Sequence, residues 1–164
     1  MSKTEIKILP AYEYRDEIAG LFKEYTDMLI KGEPRFTKYL DIQNYDDEIK
    51  HLEHKYGLPY GRLYIVFADG APAGCIGFRR LDNDRCELKR LYVKPEFRGN
   101  GIAGKLIDLI LSEAKNEGYK KILLDTLPFL TTAIDMYKRR GFYEIPCYND
   151  SPIDTTIYMQ LDLQ

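Results

Sequence analysis

Arg98-Gly99-Asn100-Gly101-Ile102-Ala103-Gly104 sets three glycines within six residues, between an apolar strand-like run, Leu88 to Val93, and an amphipathic helix-like run, Ile102 to Lys115. Glycine lets the backbone turn sharply and aim free N–H groups at one point, and the start of a helix adds its dipole. That combination binds anions, phosphates above all. The flanks decide which phosphorylated ligand the loop serves.

Two nucleotide patterns fit in part. Gly99-x-Gly101-x-x-Gly104 matches the dinucleotide fingerprint, and Asp125 lies about 20 residues on, where a ribose-binding acid belongs. That fingerprint follows its strand almost at once and opens a βαβ series. Here Lys94 to Arg98 intervene, and an antiparallel pattern precedes. Gly99-x-x-x-x-Gly104-Lys105 approaches a P-loop, but Leu106 stands where a Ser or Thr must hold Mg²⁺.

Upstream of the loop the hydrophobic period is two. Strands are expected at Arg62 to Ala68, Ala73 to Leu81 and Cys86 to Val93, joined by turns at Asp69-Gly70 and Asp82-Asn83-Asp84. Strict alternation puts Glu87, Lys89, Leu91 and Val93 on one face of the last strand, and Cys86, Leu88, Arg90 and Tyr92 on the other. Earlier still, Thr4 to Leu9 reads as a strand, Ala11 to Ile30 as an amphipathic helix, and about Asp46 to Tyr56 as a second helix. Downstream, Gly118 closes the loop's helix. Lys121 to Asp125 is a short apolar strand, Thr131 to Arg140 a helix, and Phe142 to Ile145 and Thr155 to Leu161 the last strands. A strand reached through a helix implies a parallel partner for the strand before the loop. The fold class is therefore α/β in the α+β sense: one mixed, mostly antiparallel sheet with helices on both faces, in a single domain over residues 1–164.

Composition narrows the partners. With 30% charged and 45% hydrophobic residues, the chain is an ordinary globular one. A formal net charge of −2 without a run of one sign offers no footprint for nucleic acid or an anionic membrane. No apolar stretch is long enough to span a bilayer. Met1-Ser2-Lys3-Thr4-Glu5 leads straight into a strand pattern, so no signal peptide is expected. Cys75, Cys86 and Cys147 are odd in number and far apart, which suits free thiols in the cytoplasm. His51 and His54 share a helix face without an evident third ligand, so no metal is expected.

The stretch from Glu87 to Gly104 resembles motif A of the GNAT superfamily, the acyl-CoA-dependent N-acyltransferases, whose core Arg/Gln-x-x-Gly-x-Gly/Ala is met by Arg98, Gly101 and Ala103. Ala133-Ile134-x-Met136-Tyr137-x-x-x-Gly141-Phe142 resembles the family's motif B. The resemblance covers roughly Arg62 to Ile145. It implies a parallel strand pair that splays into a slot, with pantetheine completing the first strand through backbone of Leu91 and Val93, Tyr92 lying between them. It implies that the pyrophosphate of acetyl-CoA rests on Arg98, Gly99, Asn100, Gly101, Ile102, Ala103 and Gly104. Tyr137 is then the general acid for the leaving thiol, and Glu87 the base, often through water, unless it only pairs with Lys89 or Arg79. One departure stands out: family members often carry Asn three residues before the motif B alanine, where this chain has Leu130, followed by Thr131 and Thr132. Arg139 and Arg140 are candidates for the 3′-phosphate on this reading, or equally a solvated helix face, which is the more common case. Direct acetyl transfer to a primary amine follows, with a small-molecule acceptor favoured. A protein N-terminus or lysine is the alternative acceptor, and a non-catalytic acyl-CoA sensor the alternative class. The aromatic group Phe36, Tyr39, Tyr45 and Tyr56 and the segment Tyr148 to Pro152 are candidate acceptor walls. A homodimer is expected, with Thr155 to Leu161 as an exposed edge.

Overall fold

The computed structural model describes residues 3–163; Met1, Ser2 and Gln164 lie outside it. The elements run β1 (Ile6–Pro10), α1 (Arg15–Gly32), α2 (Phe36–Ile42), α3 (Tyr45–Lys50), α4 (Leu52–Tyr56), β2 (Arg62–Ala68), β3 (Ala71–Arg80), β4 (Arg85–Val93), α5 (Ile102–Glu117), β5 (Lys121–Thr126), α6 (Thr131–Arg139), β6 (Tyr143–Ile145) and β7 (Ile157–Asp162). The expected helix over Asp46 to Tyr56 is split. His51 takes φ −136° and ψ 72°, which ends α3 and starts α4.

The seven strands form one sheet in the order β1-β2-β3-β4-β5-β7-β6. Every neighbouring pair is antiparallel except β4 with β5. That parallel pair covers only Arg85↔Lys121, Cys86↔Ile122 and Glu87↔Leu123. Beyond Glu87 the two strands part, and the expected slot opens. β7 is not an edge: it pairs with β5 on one side and β6 on the other. The sheet ends in β1 and the three-residue β6, so the expectation of a dimer through Thr155 to Leu161 loses its basis.

The two faces are packed by helices of matching period. Leu106, Ile107, Ile110 and Ala114 of α5 pack with Phe78, Cys86, Leu88 and Val93 on one face. Ile18, Leu21 and Phe22 of α1, with Leu52 and Tyr56 of α4, pack with Leu63, Ile65 and Cys75 on the other. Fully burying each such side chain contributes about 1.5–3 kcal/mol. A third cluster joins Leu29, Phe36, Tyr39 and Leu40 to Leu127 and Ile153, and holds α2 over the open end of the slot.

β4 departs from strict alternation. Between Cys75↔Tyr92 and Gly77↔Lys89 it carries one residue more than β3, a bulge at Arg90 and Leu91. Arg90 takes φ 61°, a left-handed conformation that costs a non-glycine residue about 1–2 kcal/mol. The extra residue reverses the facing of all that follows. Cys86, Leu88, Leu91 and Val93 belong to the α5 face, while Arg90 lies over Phe22 and Tyr92 belongs to the α1 cluster. Glu87 therefore does not share a face with Leu91 and Val93, as alternation predicts. Gly74 completes the arrangement: a Cβ there would meet the Tyr92 carbonyl oxygen at 2.6 Å.

Candidate active site

The slot is a cavity of about 590 Å³ running from the glycine loop to α2. Its loop end is built from backbone. Gly101 adopts φ 71° and ends the loop, and the first helical bond of α5 is donated by Lys105 N to Gly101 O at 3.2 Å. The N–H groups of Gly101, Ile102, Ala103 and Gly104 donate to no other described residue. They are the orphan donors of a helix start, pointed at the same spot as the positive end of the α5 dipole. These groups fit a phosphate without any side chain. Arg98 and Asn100 are exposed on the rim, and Asn100 Nδ2 holds Phe97 O at 2.9 Å.

β4 supplies one lip. Lys94 N donates to Ala73 O at 2.8 Å. By antiparallel alternation Val93 then directs its own N–H and C=O away from β3 and into the slot. The Val93 carbonyl also accepts from Arg98 Nε at 3.3 Å, which ties the loop arginine to the lip. Leu91, Tyr92 and Val93 all line the cavity.

Tyr137 projects from α6 into the same cavity and packs on Phe142 with ring centroids 5.4 Å apart. Burial, with smaller contributions from Tyr25 and Asp125, raises its pKa well above the ordinary phenol value. The hydroxyl keeps its proton at neutral pH and has no hydrogen-bond partner among the described residues. It is a proton donor waiting for an acceptor. Leu130 occupies the N-cap of α6 without a side-chain cap, and with Thr131 and Thr132 it lines the cavity. Arg140 lies beside the start of α5: it donates to Asp108 at 2.7 Å, to Met136 O at 3.1 Å and to Gly104 O at 3.4 Å. Arg139 is exposed.

Glu87 is not on the cavity wall. It is 2% exposed and accepts from Arg79 Nε at 2.8 Å and from Tyr148 OH at 2.5 Å, with Lys89 Nζ at 3.7 Å. Burial alone raises its pKa; Lys89 and Arg79 outweigh that and bring it down to about 2. A carboxylate so held is anionic but a poor base.

The α2 end of the cavity contains groups that sequence reasoning singled out only in part. Of the aromatic set, Phe36 and Tyr39 line the cavity. Tyr45 and Tyr56 lie behind it, Tyr45 against Arg90 and Tyr56 donating to Glu48 at 2.9 Å. Tyr39 OH and Asn149 Nδ2 both donate to Asp125 Oδ2, the latter at 2.7 Å. Asp125 thus sits at the α2 end of the cavity, held by Tyr39 and Asn149. The segment Tyr148 to Pro152 does not line the cavity; it lies behind it, with Tyr148 donating to Glu87 and Asn149 to Asp125. Wholly unforeseen was Glu48, 0% exposed, which accepts from Arg90 Nε (2.7 Å), Arg90 Nη2 (2.9 Å) and Lys55 Nζ (2.8 Å). Its only sequence signal was an acid on the buried side of a short helix.

His51, Glu53 and His54 each offer a ligand atom within 4.8 Å of the others. All three are exposed and engaged: His54 with Asp47 at 3.0 Å and Glu53 with Arg15 at 3.1 Å. They lie away from the slot. Among the described residues no helix is long and apolar enough to cross a membrane.

The family model described as the acetyltransferase (GNAT) family matches residues 18–142. An uncharacterized N-acetyltransferase of Dictyostelium discoideum is 30% identical over 97% of this chain and 99% of its own. A GNAT-family acetyltransferase structure from Staphylococcus aureus superposes with a TM-score of 0.76 at 24% identity, over 98% of this chain and 100% of that one. The PaiA N-acetyltransferase of Thermoplasma acidophilum, solved with coenzyme A, superposes with a TM-score of 0.72 at 19% identity over 98% and 99%. A bulged strand, a splayed parallel pair, an uncapped glycine-opened helix and the match across most of the sequence converge: the chain belongs to the GNAT acetyltransferase family.

Proposed function

We propose that this protein transfers the acetyl group of acetyl-CoA directly to a primary amine of a small molecule. The observation that carries the reading is one continuous cavity that joins the free N–H groups of Gly101 to Gly104 to the unpartnered hydroxyl of Tyr137. The coenzyme A held by the Thermoplasma relative supports the donor. The roof over the far end, where α2 is fixed by Leu127 and Ile153, favours a small acceptor over a protein tail.

Acetyl-CoA, when bound, supplies the acetyl thioester. Gly101 to Gly104, with Arg98, Gly99 and Asn100 on the rim, hold its pyrophosphate without a metal. Leu91, Tyr92 and Val93 hold the amide chain along the lip, and a backbone N–H of Leu91 or Val93 steadies the carbonyl oxygen as it gains charge. The neutral amine attacks, the C–S bond breaks, Tyr137 gives its proton to the sulfur, and the proton shed by the nitrogen as it becomes an amide returns through water to the Tyr137 phenolate. An alkylammonium must first lose a proton. Glu87 does not line the cavity and is already engaged by Arg79 and Tyr148, so cavity water carries the proton away while Glu87 fixes Tyr148.

The test is release of free thiol from acetyl-CoA against a panel of amines, amino acids and peptides. Release with small amines is the expected result. Release only with peptides would transfer the reading to a protein acceptor, and none with any acceptor would leave an acyl-CoA sensor.

A further inference from the structure

The bulge in β4 turns two successive cations toward the acceptor end, and neither is fully matched. Lys89 lines the cavity and is 8% exposed. Its ammonium makes no hydrogen bond to a described residue; the nearest carboxylate oxygen, on Glu87, is 3.7 Å away. Arg90 engages Glu48 and Gln43 through Nε and Nη2 and leaves Nη1 without a partner among the described residues. No fully buried side-chain nitrogen or oxygen among those residues lacks a hydrogen bond. Both groups therefore keep some accessible area, and both residues line the cavity.

Charge points the same way. Lys55, Arg79, Lys89 and Arg90 gather around only two carboxylates, Glu48 and Glu87. Glu48 is saturated by Arg90, Lys55 and Tyr56, and Glu87 by Arg79 and Tyr148. A partly buried excess of positive charge is unfavourable unless an anion completes it. The remaining carboxylate, Asp125, stands on the opposite lip. Counting on from Glu87↔Leu123, Lys89 would face Asp125 if the strands had stayed paired. The slot thus presents cations on β4 and an anion on β5, with Tyr137 lining the same space.

We infer that the acceptor amine carries an anionic group, a carboxylate or a phosphate, which Lys89 and the free edge of Arg90 bind while Asp125 receives the ammonium end. The inference rests on the acetyl-transfer reading for its chemistry, but the recognition it describes is a matter of binding alone.

Matched pairs test it: ornithine against 1,4-diaminobutane, and phosphoethanolamine against ethanolamine. Each is measured twice on the protein with coenzyme A added, as kcat/KM with acetyl-CoA and as binding by calorimetry. The acid-bearing member is expected to be preferred at least tenfold in one pair, and the pair that responds separates carboxylate from phosphate. Lys89→Met should cut that preference below threefold, and Lys89→Arg should restore most of it. Preferential binding without turnover would uphold this inference and sink acetyl transfer. Absence of any preference in binding, in both pairs, would overturn the inference even if amines are acetylated.

Discussion

The two ends of the slot are built on opposite plans. On the assignment proposed above, the donor end uses backbone from one continuous stretch, Val93 to Gly104, and its donors are N–H groups that no substitution short of proline removes. The acceptor end uses side chains brought from α2, α3, α4, β3, β4, β5 and the segment after β6, locked by ion pairs around Glu48 and Glu87. One end depends on local conformation and the other on the tertiary fold. A backbone site tolerates change at its side chains, whereas a side-chain network fails when one member is lost.

The sharpest way to break this contrast is at Glu48. Glu48→Gln leaves Arg90 buried without its counter-charge and is expected to cost about 3–5 kcal/mol of stability by urea unfolding. Coenzyme A affinity of the protein that remains folded should change less than about threefold, because the loop does not share that network. An equal loss at both ends would dissolve the distinction. Next, Gly101→Val puts a β-branched residue at φ 71° and its side chain into the open space before the helix. Coenzyme A affinity is expected to fall at least about a hundredfold by calorimetry, with near-normal circular dichroism. Retained affinity would remove the pyrophosphate from this loop. Tyr137→Phe takes away a proton and little volume; turnover should fall at least about tenfold with coenzyme A affinity nearly unchanged. Unchanged turnover would exclude Tyr137 as the acid.

A separate test is one of pH. Glu87 has a folded pKa of about 2 against an ordinary 4.5. A depressed carboxylate stabilises the fold fully above its unfolded value and loses that contribution as pH falls through the folded one. Stability should therefore drop between about pH 4.5 and pH 2, and Glu87→Gln should flatten that part of the curve. A wild-type and variant curve of the same slope there would show that Glu87 is not held as described.

The contrast also explains what could be read in advance. The loop's shape was legible, since Gly99 and Gly101 sit together in sequence and, at φ 86° and 71°, each marks a left-handed backbone position. Strand and helix periods located nearly every element, because side-chain facing is a local property. The bulge was not legible: Arg90 carries no glycine-like mark, and its left-handed turn is sustained by Glu48, 42 residues away. The facing of Leu91 and Val93 was misjudged for that reason alone. The break at His51 was missed because α3 and α4 share one apolar period. Asp125 was visible as a residue but not as an acceptor-end group, since Tyr39 and Asn149 reach it from 86 and 24 residues away.

The bulge has a bearing on how such a protein can change over generations. By breaking the alternation of β4 at Arg90, it uncouples the strand's two halves. Residues up to Lys89 face their neighbours by one parity and residues from Leu91 by the other. Substitutions that alter the acceptor end need not be compensated along the lip that serves the donor. A single extra residue thereby gives the strand's two halves separate facings, and Gly74, by leaving room for the Tyr92 carbonyl, is the position on which that separation depends.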